Sequence, residues 1–254
     1  NVFQNYESYT GITTLLGAFC YSIQIYADFA GYSLTAIGCA KTIGFNLPEN
    51  FKRPYFSTSI KEFWKRWHIA LSSWFMEYLY FPLGGSRVKY GRYLLNLMIV
   101  FLVSGLWHGA SWTFVVWGAL HGFYQVVEAL KKKLSGSHDY THWLTRGLKM
   151  IFVFLLVNFA WIFFRIPSIS DSLHVIASIF TNIKTPYIAP MPMAFGMLSC
   201  AILFLKDFTD EFYPNIKVMN SDRLYVSIPT CILLSIYVLL FGVLNNNQFI
   251  YFQF

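Results

Sequence analysis

Three ionisable side chains fall in or beside candidate membrane segments: Asp28 in YADFAGYS, His68 in KEFWKRWHIAL and His108 in SGLWHGASW. An ionisable group within a membrane segment is expensive to keep and marks a functional site by default. His108 is the sharpest of them. A neutral imidazole costs less to bury than a carboxylate, and an ordinary pKa near 6.5 suits proton transfer at neutral pH. Two readings stand for it: an acid–base catalyst, or a core histidine satisfied by a neighbouring helix. His68, beside Arg66 and Trp67, has the alternative of an interfacial histidine in an aromatic belt. Asp28, with Tyr26, Tyr32 and Ser33 nearby, reads more readily as the anchor of a polar network than as a catalyst. His121 lies about 140° round an ideal helix from His108 and has Gly122 beside it, which favours packing. His138, His142 and His174 fall in loops or at segment ends.

Other chemistries lack their residues. The sequence has no GxSxG elbow, no HExxH and no glycine-rich phosphate loop. Cys20, Cys39, Cys200 and Cys231 lie in apolar stretches at spacings that match neither a zinc site nor a disulfide framework. No metal site and no bound cofactor are expected. Histidine acid–base chemistry remains, or no catalysis at all.

The elements that must position these groups follow from composition. Of 254 residues, 56% are apolar and only 12% charged, about half the charge of an ordinary globular domain. That balance excludes a disordered chain or a secreted disulfide mini-domain and points to an all-α, polytopic transmembrane helix bundle. Apolar stretches fall at 10–40, 94–107, 111–130, 147–164, 191–205 and 224–243. The second holds only 14 residues, about 21 Å of helix and short of a crossing. Nine of the 19 Lys and Arg lie between Lys41 and Arg92, and five more between Lys131 and Lys149. Both blocks are expected to be cytoplasmic, so the segment between them enters and returns as a hairpin with His108 near its tip and, because the first leg is short, within the bilayer's depth. Gly105 and Gly109 permit a close approach or bend there. The net charge of +7 is thus a topology signal, with lipid and not nucleic acid as the partner. Stretch 55–82 is amphipathic, with Ser57 or Ser59 as a helix cap and Glu62 completing a capping box. Trp64 and Trp67 among Lys61, Lys65 and Arg66 suit an interfacial helix. A single domain over 1–254 is the economical reading. The opening NVFQNYESYT predicts a chain that lacks its N-terminal portion.

The run YADFAGYSLTAIGCAKTIGFNLPENFKRPYFSTSIKEFWKRWHIALSSWFMEYLYFPLGGSR resembles membrane-bound O-acyltransferases of the alginate O-acetylation type. SGLWHGASWTFVVWGALHG, FAWIFFR and the terminal FIYFQF continue the likeness. The resemblance implies a helix bundle around a tunnel, with His108 as the WHG histidine inside it and His68 as the second, RWH histidine. Trp67, Trp107, Arg66 and Asp28 are then candidates for lining the tunnel or binding substrate. It implies transfer of an acetyl or other short acyl group from a cytoplasmic thioester, acetyl-CoA among the candidates, toward an extracellular polysaccharide. A partner with a serine hydrolase-like domain and a bacterial inner-membrane, multi-pass setting come with it. D-alanyl transfer proteins of teichoic acid synthesis share both histidines and are an alternative, as is a conduit or scaffold without bond-making. Family members are about twice this length, so the chain resembles a C-terminal half with FIYFQF as its natural end.

Overall fold

The computed structural model describes Phe3 and residues 9–136, 142–183, 190–216 and 223–241, and all regular structure among them is helical. His138 and the FIYFQF terminus lie outside the described residues. The first helix, α1 (Gly11–Thr42), opens where the Thr10 side chain accepts from the Thr13 N–H at 3.3 Å. At 32 residues it runs about 48 Å. Its first half is packed and its second half largely exposed. Inside the packed half Ser22 is fully buried, donating to the Ala18 carbonyl at 3.2 Å and meeting the Asn158 amide at 2.7 Å. Asn158 belongs to α6 (Trp143–Arg165), so one buried amide ties these two apolar helices by polar bonds that leave no donor unmet.

After α1 a short 3-10 turn, Pro54–Phe56, is pinned to it by the Tyr55 hydroxyl, which donates to the Ser22 carbonyl. Two short helices follow, α2 (Ile60–Arg66) and α3 (Ile69–Phe75), the latter running on into a wider π-type turn at Met76–Tyr80. Ser59 caps α2 as expected, accepting from the Glu62 N–H at 3.0 Å. The return bond lands one residue early: Glu62 accepts from the Thr58 N–H at 2.7 Å. The amphipathic 55–82 stretch is therefore broken at Trp67 and His68, although no glycine or proline stands there.

Next come α4 (Tyr90–His108) and α5 (Trp112–Ser135), the expected hairpin, with Ser111 capping α5. Two glycines let the legs touch backbone to backbone. A Cβ on Gly105 would strike the Phe114 carbonyl, and one on Gly118 the Phe101 carbonyl. Asn96, fully buried on α4, donates to the carbonyls of Leu83 and Gly85 at 3.0 and 3.1 Å, fastening the preceding LGG loop. The first leg is longer than its apolar stretch suggested. Tyr90, Arg92 and Tyr93 extend it to 19 residues, about 28 Å. A short leg thus no longer places His108 within the bilayer's depth.

By length and composition, two described helices could cross a membrane, α4 and α6. The expected span at 111–130 lies in α5, whose 24 residues include His121, Gln125, Glu128 and a Lys131–Lys133 end. Sequence reading also missed α7 (Ile169–Thr181), which has Ser168 as cap and Asp171 in its first turn. His174 therefore sits within a helix, exposed, and not in a loop. A second compact unit, from Ile188 onward, contains α8 (Pro190–Phe212) and α9 (Leu224–Phe241). Within it Ser199 and Tyr237 share a 2.6 Å hydrogen bond, and Lys206 bridges Asp207 and Asp210 at 3.3 and 3.2 Å.

The hairpin contact yields a stability test. Replacing Gly118 by Ala should destabilise the full-length protein by about 1–3 kcal/mol, because backbone and not a flexible side chain must move. Gly147→Ala on α6, whose Cβ meets nothing within 4 Å, should cost nothing. Thermal unfolding in detergent of both variants checks the pair.

Candidate active site at the hairpin tip

The α5 helix acts as a ruler for α2. At one end, the Glu128 carboxylate accepts from the backbone N–H groups of Ile60 and Lys61 at 2.9 and 3.2 Å. It thereby caps the first turn of α2 from outside, where an anion is favoured. Two turns back along α5, His121 Nδ1 accepts from the Trp64 indole N–H at 3.2 Å. One turn further back, the Trp64 ring meets Trp117 at 5.7 Å. Residues 60, 61 and 64 thus pair with 128, 121 and 117 in reverse order, so α2 runs antiparallel to α5. Its C-terminal end arrives beside the beginning of α5, the hairpin tip that carries His108.

His68 stands at that arrival point in the left-handed conformation, φ 44° and ψ 56°. A non-glycine residue is seldom held there, and the neighbouring backbone must over-determine it. Segment 50–52 does so. Lys52 N–H donates to the Arg66 carbonyl at 2.9 Å, and Ile69 N–H to the Asn50 carbonyl at 3.0 Å. The Asn50 side chain accepts from the Ala70 N–H at 3.0 Å. Before the break, Trp67 is 2% exposed and packs on Trp161 at 5.2 Å and Phe51 at 5.0 Å. The His68 ring lies edge-on to Phe29 at 4.7 Å. Burial pushes its pKa down to about 4, so the imidazole is neutral at neutral pH. Its Nδ1 is buried and has no hydrogen-bond partner among the described residues.

His108, the last residue of α4, is half-buried in a collar of rings. Trp117 and Phe164 stand edge-on at 5.1 and 5.2 Å, Trp107 at 5.1 Å and Phe114 at 6.4 Å. One cluster of rings links the surroundings of the two imidazoles: Trp67, next to His68, packs on Trp161 at 5.2 Å, Trp161 stacks on Trp117 at 5.9 Å, and Trp117 stands against His108 at 5.1 Å. An imidazole in an apolar, partly open collar can take a proton from a hydroxyl and return it to a leaving group, the role histidine most often fills in acid–base catalysis.

The remaining expected residues are placed unevenly. Trp107 touches Phe75 at 6.4 Å as well as His108, yet is 57% exposed. Arg66 is held by Glu62 at 2.6 Å and also reaches the Arg53 carbonyl at 3.5 Å. Asp28 is half-buried on α1, next in sequence to the Phe29 ring that abuts His68. Among the described residues no group of three or more His, Cys, Asp and Glu gathers around a common point. Sequence reading missed Asn50, Glu128 and the bond made by His121. The seven-residue spacing of His121 and Glu128, which puts them on one helix face, was the available signal.

Comparison with known proteins gives this geometry a lineage. The membrane-bound O-acyltransferase family matches residues 4–168, which include both histidines and the whole hairpin. "Probable alginate O-acetylase AlgI" of Azotobacter vinelandii is 44% identical over 166 residues, 65% of this chain and 32% of that protein. "Peptidoglycan O-acetyltransferase" of Helicobacter pylori is 32% identical over 99% of this chain and 51% of that protein. "Teichoic acid D-alanyltransferase" of Streptococcus thermophilus is 31% identical over 50% of this chain and 33% of that protein. The chain spans about half or less of the length of these relatives. It belongs to the membrane-bound O-acyltransferase family.

Proposed function

We propose that the protein to which this chain belongs is a membrane-embedded O-acyltransferase of the bacterial inner membrane. It would move an acetyl or similarly short acyl group from a cytoplasmic thioester, such as acetyl-CoA, to a hydroxyl destined for a cell-envelope glycan. The observation that carries the reading is a pair of half-buried imidazoles from separate elements, set against one cluster of aromatic rings in a chain of this family. Support for acetyl over D-alanyl transfer comes from the relatives: 44% identity to an alginate O-acetylase against 31% to a D-alanyltransferase. The cationic residues of 52–92 offer a face for the phosphates of the donor, and the polytopic bundle supplies the path across lipid. A serine hydrolase-like partner would complete delivery to the glycan.

His108 acts as the general base. The acceptor oxygen attacks the thioester carbonyl carbon and forms the new C–O bond as its proton passes to the imidazole. Collapse of the tetrahedral intermediate breaks the C–S bond, and the proton leaves with the thiol. His68, kept neutral by burial, orients the carbonyl or the incoming hydroxyl. Such transfer needs no charge on either ring before the reaction starts, which suits the apolar collar.

In the full-length protein, His108→Ala should lower transfer from a labelled acyl donor by at least about 10²-fold and leave membrane abundance unchanged. Retained transfer would remove His108 from catalysis. At His68 the choice of replacement matters. Asn tolerates the left-handed conformation, so His68→Asn should fold normally and lose activity. His68→Ala should lose activity and about 1 kcal/mol of stability besides. Equal melting temperatures for the two variants would contradict the strained-backbone account.

A further inference from the structure

We propose that His121 is a positioning residue for the acyl-transfer site, acting through Trp64 to set the placement of the helix that delivers His68. The inference rests on the O-acyltransferase reading for its activity arm and on geometry alone for its structural arm. His121 is fully buried and lies among rings, stacked on Phe63 at 6.3 Å and 7° and edge-on to Trp117 at 5.1 Å. Its Nδ1 accepts the indole N–H of Trp64 at 3.2 Å, so the ring carries its proton on Nε2. That Nε2 is buried with no hydrogen-bond partner among the described residues.

Stability does not account for this arrangement. The pair satisfies one part-buried donor, on Trp64, and leaves a fully buried one, on His121, unmet. Replacing both members of such a bond by apolar groups costs little beyond the change in volume. What the hydrogen bond supplies is direction. Rings alone could slide against one another, whereas an N–H aimed at Nδ1 fixes the rotation of Trp64 and with it the register of α2 on α5. Glu128 holds the first turn of α2, and His121 holds its middle. Together they leave the Trp67–His68 end one position in which to meet His108. Trp117 touches both His108 and His121 at 5.1 Å, so the same ring backs the two histidines.

The test compares His121→Phe, His121→Gln, Trp64→Phe and the double variant Trp64→Phe/His121→Phe in the full-length protein. Two readouts are used: hydrogen–deuterium exchange of residues 59–68, and kcat and KM for a labelled acyl donor. Gln can accept from the indole N–H, so His121→Gln should keep exchange near wild type and recover most of the activity. His121→Phe and the double variant should raise exchange in 59–68 and lower kcat about 10- to 100-fold, as a displaced reacting group does. KM should stay within about two-fold. The double variant should do this at a melting temperature no lower than that of Trp64→Phe alone. Wild-type kcat in the double variant, unchanged exchange in His121→Phe, or activity that falls only in step with folded protein would each overturn the proposal. Absence of acyl transfer by the wild-type protein would instead defeat the O-acyltransferase reading, and the exchange readout would still decide the tie between His121 and Trp64.

Discussion

The antiparallel seating of α2 on α5 is the contact on which the site depends. Two acceptors on one face of α5, Glu128 and His121, receive donors from the first turn and the middle of α2. Because α5 is locked to α4 by glycine-mediated backbone contact, anything measured off along α5 is also measured relative to His108. Two imidazoles far apart in sequence are therefore held against one cluster of rings without a direct tether. The arrangement is rigid because its parts are short and each end is held. The first turn is held by a carboxylate, the middle by an imidazole and the end by the Asn50–Lys52 segment.

The surroundings of the two histidines carry a second constraint. The collar is built from aromatic rings, with Trp67, Trp117 and Trp161 nearly inaccessible to solvent. Such walls bring large apolar area and edge-to-face geometry, and His108 remains partly exposed among them. Polar ties such as Asn158 to Ser22 and Asn96 to the LGG loop keep the helices around the collar in register.

How much of this was legible in the sequence depended on whether the signal was local. The hairpin with His108 at its tip followed from the spacing of lysines and arginines, and Ser59 declared itself as a cap. The break at Trp67–His68 left no trace, because the residues there would continue a helix and only hydrogen bonds from Asn50 and Lys52 prevent it. His121 looked like packing, and it is packed. Its second role depends on Trp64, 57 residues earlier, arriving at hydrogen-bond distance. The α7 helix is signalled only by the cap signature of Ser168 and Asp171, because its apolar residues are interspersed with polar ones and form no long run. Arg66, a candidate for lining the tunnel or binding substrate through the family resemblance, has a side-chain partner one turn away in Glu62 that its spacing in the sequence allowed.

The central claim is that His68 and His108 serve one chemical step. A double-mutant cycle on single-turnover acyl transfer, built from His68→Asn and His108→Ala in the full-length protein, addresses it most directly. Residues acting as a unit are strongly non-additive. The double variant is expected to be no slower than the slower single variant within about three-fold. Losses that simply multiply would mean that the two histidines act independently, and would contradict it.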